Sequence, residues 1–380
     1  MYDLIIAGAG PAGSSAARFA GKMGLDVLLI DKDRFPRYKP CGGGLSEKAI
    51  SHLDFSLPEN ICERSITGAR IRFGDRIINR HKDYRLTVTL NRSVFDDFLL
   101  KKAQETGVHV VTGQKVLDFR EDGEKVQVRA GDETYSSKYL IVAAGSQNRL
   151  LERVRERDGK DRYGVCVVTE IPEKNEIIDD RLGNTLEIHF GVARMGYGWI
   201  FPHDGYYSVG IGGMAKDLSN PKRSMIKFLR KNDFGGSYKL RGHLIPFGGM
   251  NRAIASSRVL LAGDSAGFVD SFTGEGLAYA IRSGQIAARS VAEKLEDDNL
   301  DVAGSYQLRC KRDFGEDLRY SLIMAKIMHS WPEMFFSMLA TRDEFLDKFL
   351  EVPAMKGTYK NLIRWLMPRM PGYICATISA

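Results

Sequence analysis

Residues 2–33, YDLIIAGAGPAGSSAARFAGKMGLDVLLIDKD, decide how this chain folds. The apolar run from Leu4 to Ala7 reads as a buried strand. Gly8, Gly10 and Gly13 come next and open a helix, and Ala16, Ala17 and Ala20 keep that helix close to the sheet. A second strand, Asp26 to Ile30, ends at Asp31. The glycines allow a tight turn and a close pyrophosphate approach, and the helix N-terminus offers an anion site. An acid about 20 residues on meets a ribose hydroxyl. The glycines alone would be weak evidence, but strand, loop, helix, strand and acid in this order form a dinucleotide fingerprint. FAD and NAD both remain open at this point.

A second glycine motif narrows the choice. In residues 256–295, SSRVLLAGDSAGFVDSFTGEGLAYAIRSGQIAARSVAEKL, a strand from Val259 to Ala262 runs into Gly263 and Asp264. Thr273-Gly274-Glu275-Gly276 then starts a helix over 276–295. This resembles the second FAD fingerprint of the para-hydroxybenzoate-hydroxylase-like flavoproteins. The resemblance implies that Asp264 holds the ribityl chain and that the helix points its N-terminus at the pyrimidine end of the flavin. A helix dipole suits that place, because a reduced flavin carries negative charge near N1 and O2. Residues 90–103, LNRSVFDDFLLKKA, resemble the helix whose arginine, here Arg92, reaches the cofactor; read blandly, Arg92 is a capping or surface charge. Residues 107–131 read as a strand and a hairpin turning at Glu121–Gly123, with the Val116 backbone at the adenine. The resemblance also counts Ala12 and Leu277 among the cofactor-binding positions. One departure stands out. Relatives carry a D-G fingerprint after this hairpin, whereas LIVAAGSQNRL (140–150) has Ala144 before Gly145. Direct use of NADPH is therefore doubtful, and a separate carrier such as a ferredoxin fits better.

Residues 37–46, RYKPCGGGLS, raise a separate question. Cys41 has no cysteine partner nearby, and three glycines in a row mean close backbone approach or positive φ. Beside a flavin, side chains here would block the cofactor or the substrate. The motif KPCGGG resembles that of the geranylgeranyl reductase family, and GYGWIFP (196–202) matches the family's Y-x-W-x-F-P pattern at Tyr197, Trp199, Phe201 and Pro202. The latter lies between the strands TLEIHFG (185–191) and YYSVGIGG (206–213), so it belongs to an antiparallel sheet, which the resemblance implies faces the flavin. Trp199 and Phe201 are otherwise simple core residues of that sheet.

The resemblance implies an α/β protein: a para-hydroxybenzoate-hydroxylase-like, FAD-binding Rossmann fold with an inserted antiparallel sheet and a helical C-terminal region. The expected domains are 1–150 with 255–295 for FAD, 155–250 for substrate and 296–380 for the helices, with residues 65–90 leaning to the substrate side. The implied reaction saturates C=C bonds of a polyprenyl chain, archaeal-type lipid first, a menaquinone or chlorophyll tail second. Cys41 is the candidate for proton delivery or for gating the flavin face, Tyr197 the alternative donor, and Trp199 shapes the pocket. Cys41, Gly42 and Gly44 also count as cofactor positions. The rivals are an FAD hydroxylase or halogenase, for which the D-G fingerprint and a lysine-containing G-W-x-W-x-I motif are missing, and a non-catalytic flavin or lipid carrier.

Composition agrees with this reading. At 380 residues and 43% hydrophobic the chain can bury one large core or two modest ones, and 39 glycines against 12 prolines suit tight strand–helix turns. The N-terminus goes straight into the glycine loop without a signal peptide, and no apolar stretch reaches the roughly 18 residues of a membrane span. The expected location is cytoplasmic, with peripheral contact at the inner face of the membrane. Cys41, Cys62, Cys166, Cys310 and Cys375 are scattered and odd in number, which argues against disulfides and a zinc site. A net charge of +7 suits an anionic substrate, an acidic partner or a lipid surface, and the resemblance implies a prenylated lipid or a prenyl diphosphate as substrate. No dense basic run interleaved with aromatics points to nucleic acid. The tail, 320–352 and 359–374, is helical in period, rich in Met, Phe and Leu, and basic near Trp365. It reads equally as a prenyl tunnel, a lipid-surface helix or a plain core.

Overall fold

The computed structural model of the chain describes residues 1–247, 250–341 and 343–369. The elements begin with β1 (Tyr2–Ala7), α1 (Pro11–Lys22), β2 (Val27–Asp31), β3 (Gly44–Ser46), α2 (Glu47–Ser51), β4 (Arg64–Ile66), β5 (Gly68–Phe73), β6 (Arg76–His81), β7 (Thr87–Thr89) and α3 (Arg92–Gln104). Then come β8 (His109–Thr112), β9 (Val116–Glu121), β10 (Val126–Ala130), β11 (Glu133–Val142), β12 (Tyr163–Pro172), α4 (Asn175–Arg181) and β13 (Thr185–Phe190). β14 (Tyr197–Pro202), β15 (Tyr206–Met214), α5 (Pro221–Lys231), β16 (Arg241–Pro246) and β17 (Val259–Leu261) complete the strands. The rest is helical: α6 (Leu277–Glu296), α7 (Val302–Ser330), α8 (Pro332–Thr341), α9 (Asp343–Leu350) and α10 (Tyr359–Leu366). The ends of the fingerprint elements fall within two residues of their expected places.

The first sheet runs β8-β2-β1-β11-β10-β9, with β17 on the other side of β11. β8, β2, β1, β11 and β17 are parallel, and β9 and β10 form the hairpin that folds back on β11. Helices cover a parallel sheet on both faces, so its strands read as unbroken apolar runs. Leu4, Ile5, Ile6, Leu29, Ile30 and Leu140 to Val142 are accordingly all fully buried. The contact between α1 and α6 explains the small residues. A Cβ at Gly284 would sit 2.1 Å from the Ala12 carbonyl oxygen, so the two backbones meet with nothing between them.

A second sheet runs β16-β12-β15-β14-β13-β5-β6. It was expected to be antiparallel throughout, but β13 and β5 pair in parallel. Their register sets Arg70 beside Glu187 and Arg72 beside His189. Glu187 is fully buried and takes contacts from Arg72 Nε at 2.9 Å, Arg70 Nη1 at 3.2 Å and His189 Nε2 at 2.7 Å. On this pairing we propose that residues 68–81 belong with the 155–250 sheet unit. The helices α7 to α10 cover one face of this sheet. The core there joins Ile71 and Phe73 of β5 to Met324, Met328, Phe335, Phe336 and Leu362.

Burial acts to raise the Glu187 carboxyl, but the His189 hydrogen bond and the two arginines outweigh it and hold the group at about 2. Such a depressed acid stabilises the fold above its unfolded value near 4.5 and loses that contribution as pH falls toward 2. The expected result is that Glu187→Gln lowers stability at neutral pH by about 3 kcal/mol and flattens its decline below pH 4.5, as read by unfolding at each pH.

Candidate active site

The glycine loop after β1 is built so that no side chain stands where a pyrophosphate would. Gly8 has φ +105°, and a Cβ at Gly13 would lie 1.7 Å from the Gly8 carbonyl oxygen. No side chain caps α1, whose first turn begins with Pro11 behind Gly10, so the helix N-terminus is left for an anion. Asp31 at the end of β2 accepts from the Ala9 N–H at 2.6 Å and from the Asp33 N–H at 2.8 Å. It therefore ties the loop to the strand end, with lone pairs over for a ribose hydroxyl. Val116 opens β9 two residues after Gln114, whose N–H donates to the Asp31 carbonyl, so both expected adenosine contacts share one end of the sheet.

Asp264 follows β17 in a short turn and sits in a chain of charged groups that sequence reasoning missed. Lys39 Nζ lies 3.1 Å from His243 Nε2, and that nitrogen lies 3.6 Å from Asp264 Oδ2. Burial pulls the Asp264 carboxyl up, yet the His243 hydrogen bond and the Lys39 charge outweigh it and leave the carboxyl below its usual range. Burial also holds the Lys39 ammonium and the His243 imidazolium below theirs. Asp264 is thus an anion in place. Beyond it, Gly274 has φ +73°, and α6 starts at Leu277 after an N-cap, Gly276, that offers no side chain. Glu275, between the two glycines, accepts from the Ser46 hydroxyl and is pushed up by burial to about 6. Two uncapped helix starts, a glycine cradle and a buried carboxylate at the fingerprint position fit FAD.

The triple glycine has an answer in β14. Alternation along this strand puts Tyr197, Trp199 and Phe201 on one face and Gly198 and Ile200 on the other. Trp199 pairs with Gly210 of β15, where a Cβ would strike its ring at 2.2 Å. The Cys41 loop rests on these aromatics. A Cβ at Gly42 would lie 3.1 Å from the Phe201 ring and 3.2 Å from Trp199 Nε1. Gly43 has φ +77°, and a Cβ there would lie 2.5 Å from His203 Cε1. Packing against the protein's own side chains therefore favours glycine at 42 and demands it at 43, where the positive φ and the close approach expected of the run both occur. Gly44 is roomier and enters β3.

Arg92 opens α3 with its guanidinium on the buried Asp96, both bonds at 2.9 Å. Burial works against its charge, but Asp96 and the neighbouring Cys41 side chain keep the group protonated. Arg37 shares Asp96 at 3.1 Å. The Arg92–Asp96 spacing of four was legible in the sequence; the Arg37 contact was not. Cys41 is half-buried and lines a small cleft with Arg92, Tyr38, Glu170, His203 and Tyr206. Tyr197 gives its hydroxyl proton to the Thr273 carbonyl, and burial, with Asp270 adding, raises its phenol well above the ordinary value. It links the sheet to the loop before α6. Pro202 ends β14, its carbonyl accepting from Thr89 Oγ1 at 2.9 Å.

The apolar face of the tail turns inward. Tyr359, Leu362, Ile363 and Leu366 of α10 are buried against α7 and its neighbours, so the apolar face that would meet lipid is already covered. No described helix is long and apolar enough to cross a membrane. Residues 370–374 of the basic tail and Cys375 lie outside the described residues.

Residues 2–187 match the family model for pyridine nucleotide-disulphide oxidoreductases. Over 312 residues the chain is 32% identical to the menaquinone reductase of Mycobacterium tuberculosis, covering 75% of each chain. It is 28% identical over 343 residues to a digeranylgeranylglycerophospholipid reductase of Methanothermobacter thermautotrophicus, covering 86% of this chain and 88% of that one. In fold it is similar to a geranylgeranyl bacteriochlorophyll reductase-like protein of Thermoplasma acidophilum, with TM-score 0.79, 22% identity, and coverage of 100% and 98%.

Proposed function

The chain belongs to the geranylgeranyl reductase family of FAD-dependent oxidoreductases, and from that premise we propose that it saturates the C=C bonds of a digeranylgeranyl glycerophospholipid. The observation that carries this reading is the apolar face of β14 packed against the Cys41 loop: the Phe201 and Trp199 rings lie against Gly42, next to a half-buried thiol that neighbours Arg92. FAD, bound and reduced, supplies a hydride. The uncapped α1 N-terminus and the Gly8–Gly13 loop bind its pyrophosphate, and Asp31 and Asp264 take its hydroxyls. An isolated alkene has no carbonyl to polarise, so its second carbon must receive a proton. Cys41 Sγ holds that proton and is reprotonated by water from the cleft. The aromatic face excludes water from the alkene, where it would quench a carbon of cationic character. Tyr197, with its proton committed to Thr273, is a clasp in this scheme and Trp199 a wall. Ala144 in place of the D-G aspartate favours a small electron carrier over NADPH as the reductant.

A quinone tail is the second reading, favoured by the likeness to the mycobacterial menaquinone reductase. Both alkenes fit the same apolar face, so specificity lies in the head group. The test is a panel of digeranylgeranyl phospholipid, geranylgeranyl diphosphate and menaquinone at equal concentration with dithionite as reductant. The expected order of kcat/KM places the phospholipid first by at least about tenfold, the weight of one lost charge-assisted contact. Menaquinone in first place would move the assignment to the second reading.

A further inference from the structure

We propose that His203, paired with Glu63, is the positioning residue that holds the Cys41 loop in place. The inference rests on the reading of Cys41 given above, but its geometry stands apart from any substrate. A run of three glycines is the backbone least able to hold its own shape, since each residue loses the most freedom on ordering. Something outside the loop must fix it. Three successive carbonyls each find a donor: Cys41 O accepts from Ser208 Oγ at 3.3 Å, Gly42 O from His203 Nε2 at 3.0 Å, and Gly43 O from the Leu90 N–H at 2.9 Å.

The His203 bond differs from the other two in what holds its donor. Its ring is 1% exposed, directly after β14, and stacks on Tyr206 with centroids 4.5 Å apart. A carbonyl oxygen can only accept, so Nε2 carries a proton. On the other side Nδ1 faces Glu63 Oε2, so a further proton is shared between ring and carboxylate. Glu63 in turn accepts from the Tyr206 hydroxyl at 3.3 Å. The pair fixes the ring orientation that donates to Gly42 and locks the ring that the φ +77° backbone of Gly43 is shaped around.

The test measures the thiol, not the reaction. Cys41 in the purified protein is alkylated with iodoacetamide and its peptide is followed by mass spectrometry, with half-buried Cys62 as the internal control. His203→Gln can place an amide N–H where Nε2 stands, whereas His203→Asn reaches only the Nδ1 position. His203→Asn is expected to speed Cys41 alkylation by about tenfold with Cys62 unchanged, and His203→Gln to stay within about twofold of the native chain. The same Asn variant should lose kcat with KM and bound flavin absorbance retained. Equal Cys41 rates in all three proteins, or a Gln variant as fast as the Asn variant, would overturn the anchor. Should no prenyl chain be reduced while the alkylation rates keep the expected order, the anchor holds and the assignment of function falls instead.

Discussion

Cys41→Ala is expected to lower prenyl-chain turnover by about 10²–10⁴-fold, the usual weight of a positioned proton donor, with FAD still bound and still reducible. The thiol lines the cleft, neighbours the Arg92 guanidinium and belongs to the loop packed under Trp199. Removing its sulfur leaves Arg92 on Asp96, and it leaves the carbonyl anchors of the loop untouched, so the loss should fall on kcat. Cys41→Ser keeps a proton at nearly the same place and should recover part of the rate. Tyr197→Phe separates the two candidate donors. It removes only the tie to Thr273, so its expected loss is far smaller than that of Cys41→Ala. A Cys41→Ala protein with native turnover, measured anaerobically with dithionite, would remove the thiol from the chemistry.

Gly13→Ala is the second large effect, and it acts on the cofactor. The added methyl would lie 1.7 Å from the Gly8 carbonyl oxygen and 3.3 Å from Ala143 Cβ. The first of these neighbours is backbone, and Gly8 is already held at φ +105°, so the turn must open. Overpacking of this kind costs about 1–3 kcal/mol, and here it falls on the loop that receives the pyrophosphate, so FAD should weaken by up to roughly two orders of magnitude. The variant should purify nearly colourless while its far-UV circular dichroism stays native. A yellow protein with native FAD affinity would show that the loop has slack the geometry denies.

Local chemistry was readable where the motif and its structural context lie within one stretch of chain. The β1–α1–β2 unit, the β17–α6 junction and the alternation of Tyr197, Trp199 and Phe201 all follow from periodicity, glycine placement and strand pleat. Pairing across distance was not readable. β5 joins β13 although more than a hundred residues separate them in sequence, and only the register of Arg70 and Arg72 with Glu187 and His189 explains the match. The chain Lys39–His243–Asp264 draws on three separate elements, each of which reads alone as a loop lysine, a strand histidine and a fingerprint acid. His203 hid for the same reason, as a polar residue at the end of an aromatic strand. The triple glycine shows the limit most clearly. Its need for close approach was evident, but that Phe201, Trp199 and His203 of the protein itself are among what it approaches was not. In the tail, one apolar period was compatible with tunnel, lipid face and core, and burial of Leu362 and Leu366 shows that this face of α10 turns inward.

The most direct test of the central claim is anaerobic turnover of the native protein. The protein is reduced with dithionite, a digeranylgeranyl phospholipid is added, and the lipid is followed by mass spectrometry. Gain of one H₂ for each double bond, lost in Cys41→Ala, is the predicted result. Flavin that reduces and reoxidises normally beside lipid of unchanged mass, across every prenyl chain offered, would contradict the account and return an oxygen-dependent flavoenzyme to first place.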